Sequence, residues 1–346
     1  MTMYMTKENM IRILRMTLLA VIFAAPLASA ANIPLIRVSD VPLSGKTTRF
    51  DYASEDPVTH ELFIAHLGDS TVIAFDTNHD KVIADIPDIG YVHGVLAVPS
   101  LGKVYASATS TNEVIVIDEK TLKVIARIPG GFYPDGMAYA PRQQKLYVSD
   151  EHGKTETVID TQHSRKISTI QLNSEVGNSQ YDPASGHIFV NAQTLNELIE
   201  IDPETDRIVA SHSLPGCAGP HGLLIDARDR LAFVACQDNN MLLALNMKSM
   251  DVAYSFALGK DPDVLSFDAN SHRLYIAGEQ GIVSIFDLSG RMRKIWEGFI
   301  GDNAHVVVVD QATHHVYFPL KNVSGNPVLR IMRPLPFFTA PFPAIQ

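Results

Sequence analysis

Apolar residues fall in short runs separated by turn residues, and within the runs apolar and polar positions alternate. Leu62-Phe63-Ile64, Val104-Tyr105-Ala106, Leu146-Tyr147-Val148 and Ile188-Phe189-Val190 are followed by Ala232-Phe233-Val234, Leu274-Tyr275-Ile276 and Val316-Tyr317-Phe318. Alternation and β-branched content mark these runs as strands. Beyond the first thirty residues there is no helical periodicity. The central aromatics stand at 63, 105, 147, 189, 233, 275 and 317, with successive gaps of 42, 42, 42, 44, 42 and 42. Each copy holds four strand-like runs; in the second they span 94–98, 104–107, 114–117 and 123–128. Four short strands in about 42 residues is the arithmetic of a propeller blade. The pattern therefore predicts an all-β, seven-bladed β-propeller of four-stranded blades. The last unit has three strands (306–309, 316–318, 328–332), while 33–38 reads as an outer strand with no blade of its own. That N-terminal strand is expected to complete the seventh blade, closing the ring and removing exposed sheet edges.

Several segments carry a family resemblance. Leu146-Tyr147-Val148-Ser149 with Thr157-Val158-Ile159-Asp160-Thr161 resembles the YVTN repeat, as does Val114-Ile115-Val116-Ile117-Asp118 followed by Lys123-Val124-Ile125-Ala126-Arg127-Ile128. Pro134-Asp135-Gly136-Met137 and Pro220-His221-Gly222-Leu223 are similar to that repeat's blade-opening Pro-x-Gly-apolar step. The chain resembles the YncE-like, YVTN-type seven-bladed propellers over nearly its whole length. It lacks the Gly-His and Trp-Asp marks of WD40 blades, and its one tryptophan is Trp296. The resemblance implies a fold and leaves the reaction open, because propellers host binding, scaffolding and catalysis alike.

Composition agrees with a globular chain: 346 residues, 19% charged and 46% hydrophobic. The first thirty residues differ. Lys7, Arg12 and Arg15 lead an apolar run from Met16 to Leu27, and Ala28-Ser29-Ala30 is a small-residue cleavage signature. This reads as a secretory signal peptide, too short in its apolar run for a membrane span. The expected organisation is a signal peptide at 1–30, the propeller at 31–333, and a Pro-rich tail at 334–346. The mature protein is expected to be a periplasmic or secreted monomer without a membrane span. A net charge of −10 argues against binding nucleic acid by phosphate neutralisation.

The repeat separates structural from functional candidates. Asp76, Asp118, Asp160 and Asp202 lie thirteen residues after the aromatic, Asn246 takes that place in the fifth unit, and Asp287 comes one residue early. Such side chains hydrogen-bond backbone two residues on and nucleate hairpins. Twelve residues before the aromatic stand Asp51, His93, Asp135, Gly177, His221, Asp263 and His305. This position opens the innermost strand at the mouth of the central channel, so six ionisable side chains should converge. His66 ends a second strand, three residues after its aromatic, on the same expected face. Arg49, Glu151, His152, Gln237, Glu279 and Lys321 are placed nearby.

Two readings of this funnel stand open. The polar groups could satisfy strand-start backbone and channel water. Alternatively His93, His221 and His305, with His66 or a carboxylate, could hold zinc, copper or iron, with Asp51, Asp135 and Asp263 orienting the rings. His152 or Glu151 would then be the general acid or base. Three functions follow: binding of a small molecule or protein partner at the mouth, metal-dependent catalysis (lyase, hydrolase or redox), or scaffolding on the blade edges.

The single 44-residue gap places two extra residues in 213–220, which contains Cys217. Cys236 ends the next unit's second strand on the same face. A Cys217–Cys236 disulfide is the reading suited to an oxidising compartment, and a pair of thiolate metal ligands is the alternative.

Overall fold

The computed structural model describes residues 33–335; the expected signal peptide and most of the expected proline-rich tail lie outside that range. Seven four-stranded antiparallel sheets succeed one another. The second blade contains Val92–Val98, Lys103–Ala108, Glu113–Asp118 and Lys123–Pro129, the predicted strands lengthened by one or two residues. Each inner strand packs on the inner strands of both neighbouring blades, and those of the seventh and first blades also meet. The result is a closed seven-bladed β-propeller.

Closure follows the predicted route. The seventh sheet joins Val308–Val309, Val316–Val323 and Asn326–Pro334 to the N-terminal strand Leu35–Pro42 as its outer member. Arg330 fixes this pairing by donating from Nε and Nη2 to the two oxygens of Asp40 at 2.8 and 2.7 Å.

The core sits between blades. Seven apolar clusters occupy the seven blade-to-blade interfaces. Phe63, Tyr105, Tyr147, Phe189, Phe233, Tyr275 and Tyr317 are all buried there, which is why the aromatic recurs at fixed spacing. The turn acids are structural. Asp76 accepts from the amides of Asn78 and His79, Asp160 from those of Gln162 and His163, and Asp202 from that of Glu204. Among the described residues no helix is long and apolar enough to cross a membrane.

Candidate functional site

The repeat delivers side chains to the axis through a local irregularity. In blades two to five the pairing of inner and second strands shifts register across the first residues, between Val92 and Val95, Pro134 and Met137, Val176 and Ser179, and Pro220 and Leu223. A strand that breaks its ladder in this way bends and re-aims a side chain. His93, Asp135 and His221 stand inside these breaks, and Asp263 inside the shift from Pro262 to Val264. The next residue is glycine in three of these strands, because neighbouring inner strands approach closely. A Cβ on Gly222 would lie 1.8 Å from the Asp263 carbonyl oxygen, and one on Gly94 2.1 Å from that of Asp135.

The result is a funnel of about 170 Å³ lined by Arg49, Asp51, His93, Tyr133, Asp135, Glu151, His221, Gln237, Asp263 and Glu279. Asp51, Asp135, Asp263, His93, His221 and His305 are all buried. Arg49 Nη2 pairs with Asp51 at 3.0 Å and Glu279 at 2.7 Å. Beneath the funnel a second cavity of about 390 Å³ is lined by all seven inner strands. Tyr52 lies between the two: its hydroxyl donates to Asp263 at 3.2 Å and lies 3.4 Å from His221 Nε2. A side chain from blade one thus crosses the axis to blades five and six.

Hydrogen bonding assigns the imidazole tautomers. His93 Nδ1 lies 3.0 Å from the Tyr91 carbonyl and 2.8 Å from Thr109 Oγ1, whose own proton goes to the Pro134 carbonyl. Nδ1 must therefore donate, and Nε2 presents its lone pair beside the Tyr133 hydroxyl at 3.2 Å. Gln193 Nε2 donates to Glu151 and faces His221 Nδ1 at 3.0 Å. His221 accepts there and turns an Nε2–H toward Asp263 Oδ1 at 3.4 Å. The Phe50 amide fixes Asn303 Oδ1 as an acceptor, so Asn303 Nδ2 donates to His305 Nδ1 at 2.7 Å. His305 Nε2, 3.7 Å from Asp51, has no hydrogen-bond partner among the described residues, and neither does buried Asp135 Oδ1.

Burial pushes Asp135 far above the ordinary carboxylate range, and the charges of Asp51, Glu151 and Asp263 add to the effect. Burial alone would raise Asp51 too, but His305, Arg49 and His93 reverse it and hold its pKa low. Burial disfavours the charged form of His305, while Asp51, Glu279 and Asp263 outweigh burial and raise its pKa.

The structure sorts the sequence candidates by pleat. Residues three after the aromatic do not line the funnel. His66 stacks on Phe50 at 4.2 Å between ring centroids and contacts Thr48 and Asp69, so it stands apart from the other histidines. Residues four after the aromatic face the axis instead: Glu151, Gln237 and Glu279 line the funnel, while Thr109 and Gln193 hold His93 and His221. A one-residue step along a strand exchanges its faces. Lys321 shares this register and is not among the lining residues. His152 stands at the rim, its ring 4.4 Å from that of Tyr133 and its Nδ1 3.8 Å from Glu175. The predicted His93, His221 and His305 reach one region, yet the group with one ligand-competent atom each within 4.8 Å of the others is Asp51, Asp263 and His305. Tyr52, Tyr133, Gln193 and Asn303 escaped the sequence reading; Tyr52 was detectable as the one aromatic in a register otherwise held by Gly94, Gly136, Asn178, Gly222, Val264 and Val306. Cys217 and Cys236 form the expected disulfide.

The choice-of-anchor I domain family matches residues 68–272. No curated protein matches the chain in sequence. Among solved structures, hydrazine synthase of Kuenenia stuttgartiensis superposes with a TM-score of 0.71 at 16% identity, covering 85% of this chain and 98% of that one. Virginiamycin B lyase from Staphylococcus aureus gives 0.71 at 14% identity, covering 86% and 98%. A streptogramin B lyase gives 0.73 at 12%, covering 87% and 98%. At these identities the likeness is one of fold.

Proposed function

For a chain that belongs to the choice-of-anchor I domain family, we propose the role of an exported propeller, of the YVTN type its repeats resemble, that binds a small ligand in the funnel. The observation that carries this reading is the convergence of five blades on one small cavity whose buried Asp135 Oδ1 and neighbouring His305 Nε2 lack protein partners. Buried polar atoms are usually paired with protein or ordered water, so an unpaired one facing a cavity is a place where a bound molecule can complete its hydrogen bonding. The family's description as an anchor domain agrees with a surface or secreted location, and the disulfide suits an oxidising compartment such as the periplasm.

A thermal-shift screen of small polar metabolites against wild type and His93→Ala tests this. Hits that stabilise wild type and fail on the variant support the funnel. Hits indifferent to that substitution and to Asp263→Asn overturn it.

Metal-dependent catalysis is the second reading, favoured by the ligand-competent group Asp51, Asp263 and His305. Elemental analysis of untagged protein tests it: a stoichiometric transition metal that His305→Ala abolishes supports it, and metal-free protein that takes up none on titration removes it.

A further inference from the structure

The funnel is not uniform around its rim, and the difference identifies a ligand class. Its lining has five carboxyl groups (Asp51, Asp135, Glu151, Asp263 and Glu279), of which burial favours the neutral form of Asp135, against one guanidinium. Arg49 bridges Asp51 and Glu279 through Nη2, with its Nε unpaired; Asp263 faces the His221 N–H at 3.4 Å, and Asp135 and Glu151 have no cationic side chain within 4 Å among the described residues. Asp135 is 5% exposed and its Oδ1 is unpartnered. Clefts lined by one sign of charge concentrate the opposite sign.

The side toward blades two and three is aromatic. Tyr133 lines the funnel and contacts His93 and His152 at centroid distances of 5.1 and 4.4 Å. Phe132 contacts His152 at 6.2 Å and keeps 59% of its surface exposed. Tyr133 sits at φ 64°, in the left-handed region. That conformation costs about 1–3 kcal/mol for a residue with a side chain. The Asn112 side chain holds it there by accepting from the Tyr133 amide at 3.0 Å. Tyr91, at the same place in blade two, repeats the device with φ 51° and an amide bond to Ser70 Oγ. The same left-handed turn recurs at Gly219 and Asp261, whose amides bond the Asn196 and Asn240 side chains, and at Asn303, so it belongs to the repeat; only blades two and three place an aromatic residue on it, and Tyr133 is the one that lines the funnel.

We propose that the funnel binds a compact organic cation, its ammonium head between Asp135, Glu151 and Asp263 and its apolar flank on Tyr133 and Phe132. This rests on the ligand-binding reading above. A cation over an aromatic face gains from the ring quadrupole as well as from the carboxylates. A bare metal ion uses only half of this arrangement. His221 and His305 also turn N–H groups, not lone pairs, toward Asp263 and Asp51, whereas a metal needs lone pairs.

Calorimetric titration at low ionic strength tests the proposal with four probes: benzyltrimethylammonium, benzyl alcohol, benzoate and manganese chloride. The expected result is binding of benzyltrimethylammonium alone or most tightly. Phe132→Ala and Glu151→Gln should each weaken it tenfold or more without changing the melting temperature. Benzoate or benzyl alcohol binding as tightly, with the same dependence on Phe132, overturns the cationic class and leaves the ligand-binding reading intact. Manganese binding that ignores Phe132→Ala, with no organic probe bound, overturns the organic class. If no probe binds, the cationic class falls; the ligand-binding reading falls with it only if the metabolite screen also finds no hit that His93→Ala abolishes.

Discussion

Reduction of the Cys217–Cys236 bond isolates what the one irregular loop contributes. The bond joins residues 19 apart. In the chain-entropy picture a closed loop of that length removes about 11 cal/mol/K from the unfolded ensemble, or about 3 kcal/mol at 25 °C. Unfolding entropy near 2.1 cal/mol/K per residue over the propeller amounts to about 0.6 kcal/mol/K, so reduction should lower the melting temperature by roughly 5 °C. Calorimetry with and without a phosphine reductant measures this without altering a side chain. The bond should matter less for the neighbouring histidine. Asn191 Nδ2 donates to the carbonyls of His221 and Gly222 at 3.0 and 3.1 Å, and Gln193 holds the ring. The His221 imidazole resonances should therefore stay in place on reduction while Asn191→Ala moves them. A melting shift below about 1 °C would refute the entropic argument. Displacement of His221 by reduction alone would show that the disulfide, and not Asn191, positions it.

Three further outcomes follow from burial and charge. Burial between Ser149 and Ser179 pushes Glu156 up to about 8 against an ordinary 4.5, so its folded form holds a proton the unfolded form has lost. Its contribution to stability must fall as pH rises from 4.5 to 8, by about 3 kcal/mol at pH 7, and Glu156→Gln should remove that loss in urea unfolding at pH 5 and 7. Gly222→Ala should destabilise by several kcal/mol or prevent folding, since its Cβ would strike the Asp263 carbonyl, whereas Gly290→Ala, with open space around it, should stay within about 0.5 kcal/mol in the same urea assay. Asp40→Asn should cost about 1.5–3 kcal/mol at pH 7 by weakening the charge-assisted bonds to Arg330 that close the ring. Arg330 holds the Asp40 carboxyl below its usual range, so the effect is present above pH 4 and fades as pH falls through that lowered value.

The fold was legible because one unit is repeated seven times: a 42-residue period places strand, turn and core aromatic at once, and every blade buries the same face against its neighbour. The ring of Asp51, His93, Asp135, His221, Asp263 and His305 was legible for the same reason. What the register could not supply was the pleat. His66 was assigned to the mouth from a position whose equivalents Asp150 and Cys236 are both buried away from the axis, with Asp150 bonded to Thr155 and Thr157. The adjacent residue faces the axis in every other blade that contributes from this level, as Glu151, Gln193, Gln237 and Glu279 show. Nor could spacing reveal which imidazole nitrogen carries a proton, since Gln193, Asn303 and Thr109 decide that from other blades or other turns.

Repetition builds the scaffold, and departures from repetition make the site specific. At the level just below the funnel, blades two, three and five place glycine, which lets the inner strands approach until a single methyl would collide. That approach leaves axial space only a long side chain can occupy. Blade one alone supplies it, and Tyr52 spans the channel to reach Asp263 and His221. Desolvation of its phenol, with the nearby charges of Asp263, Asp135 and Asp51, keeps its proton on oxygen. A phenol that stays protonated donates to Asp263, and this leaves the His221 N–H as a second donor to the same carboxylate. The floor of the funnel is therefore a neutral donor beneath the Asp263 carboxyl group. Asp135, which burial and then the neighbouring carboxylates push toward its protonated form, stands where a cation would oppose that effect. The six-membered ionisable ring is what the repeat makes available, and the residues that break the repeat, Tyr52 beneath it and Tyr133 beside it, are what make one side of it different from the other.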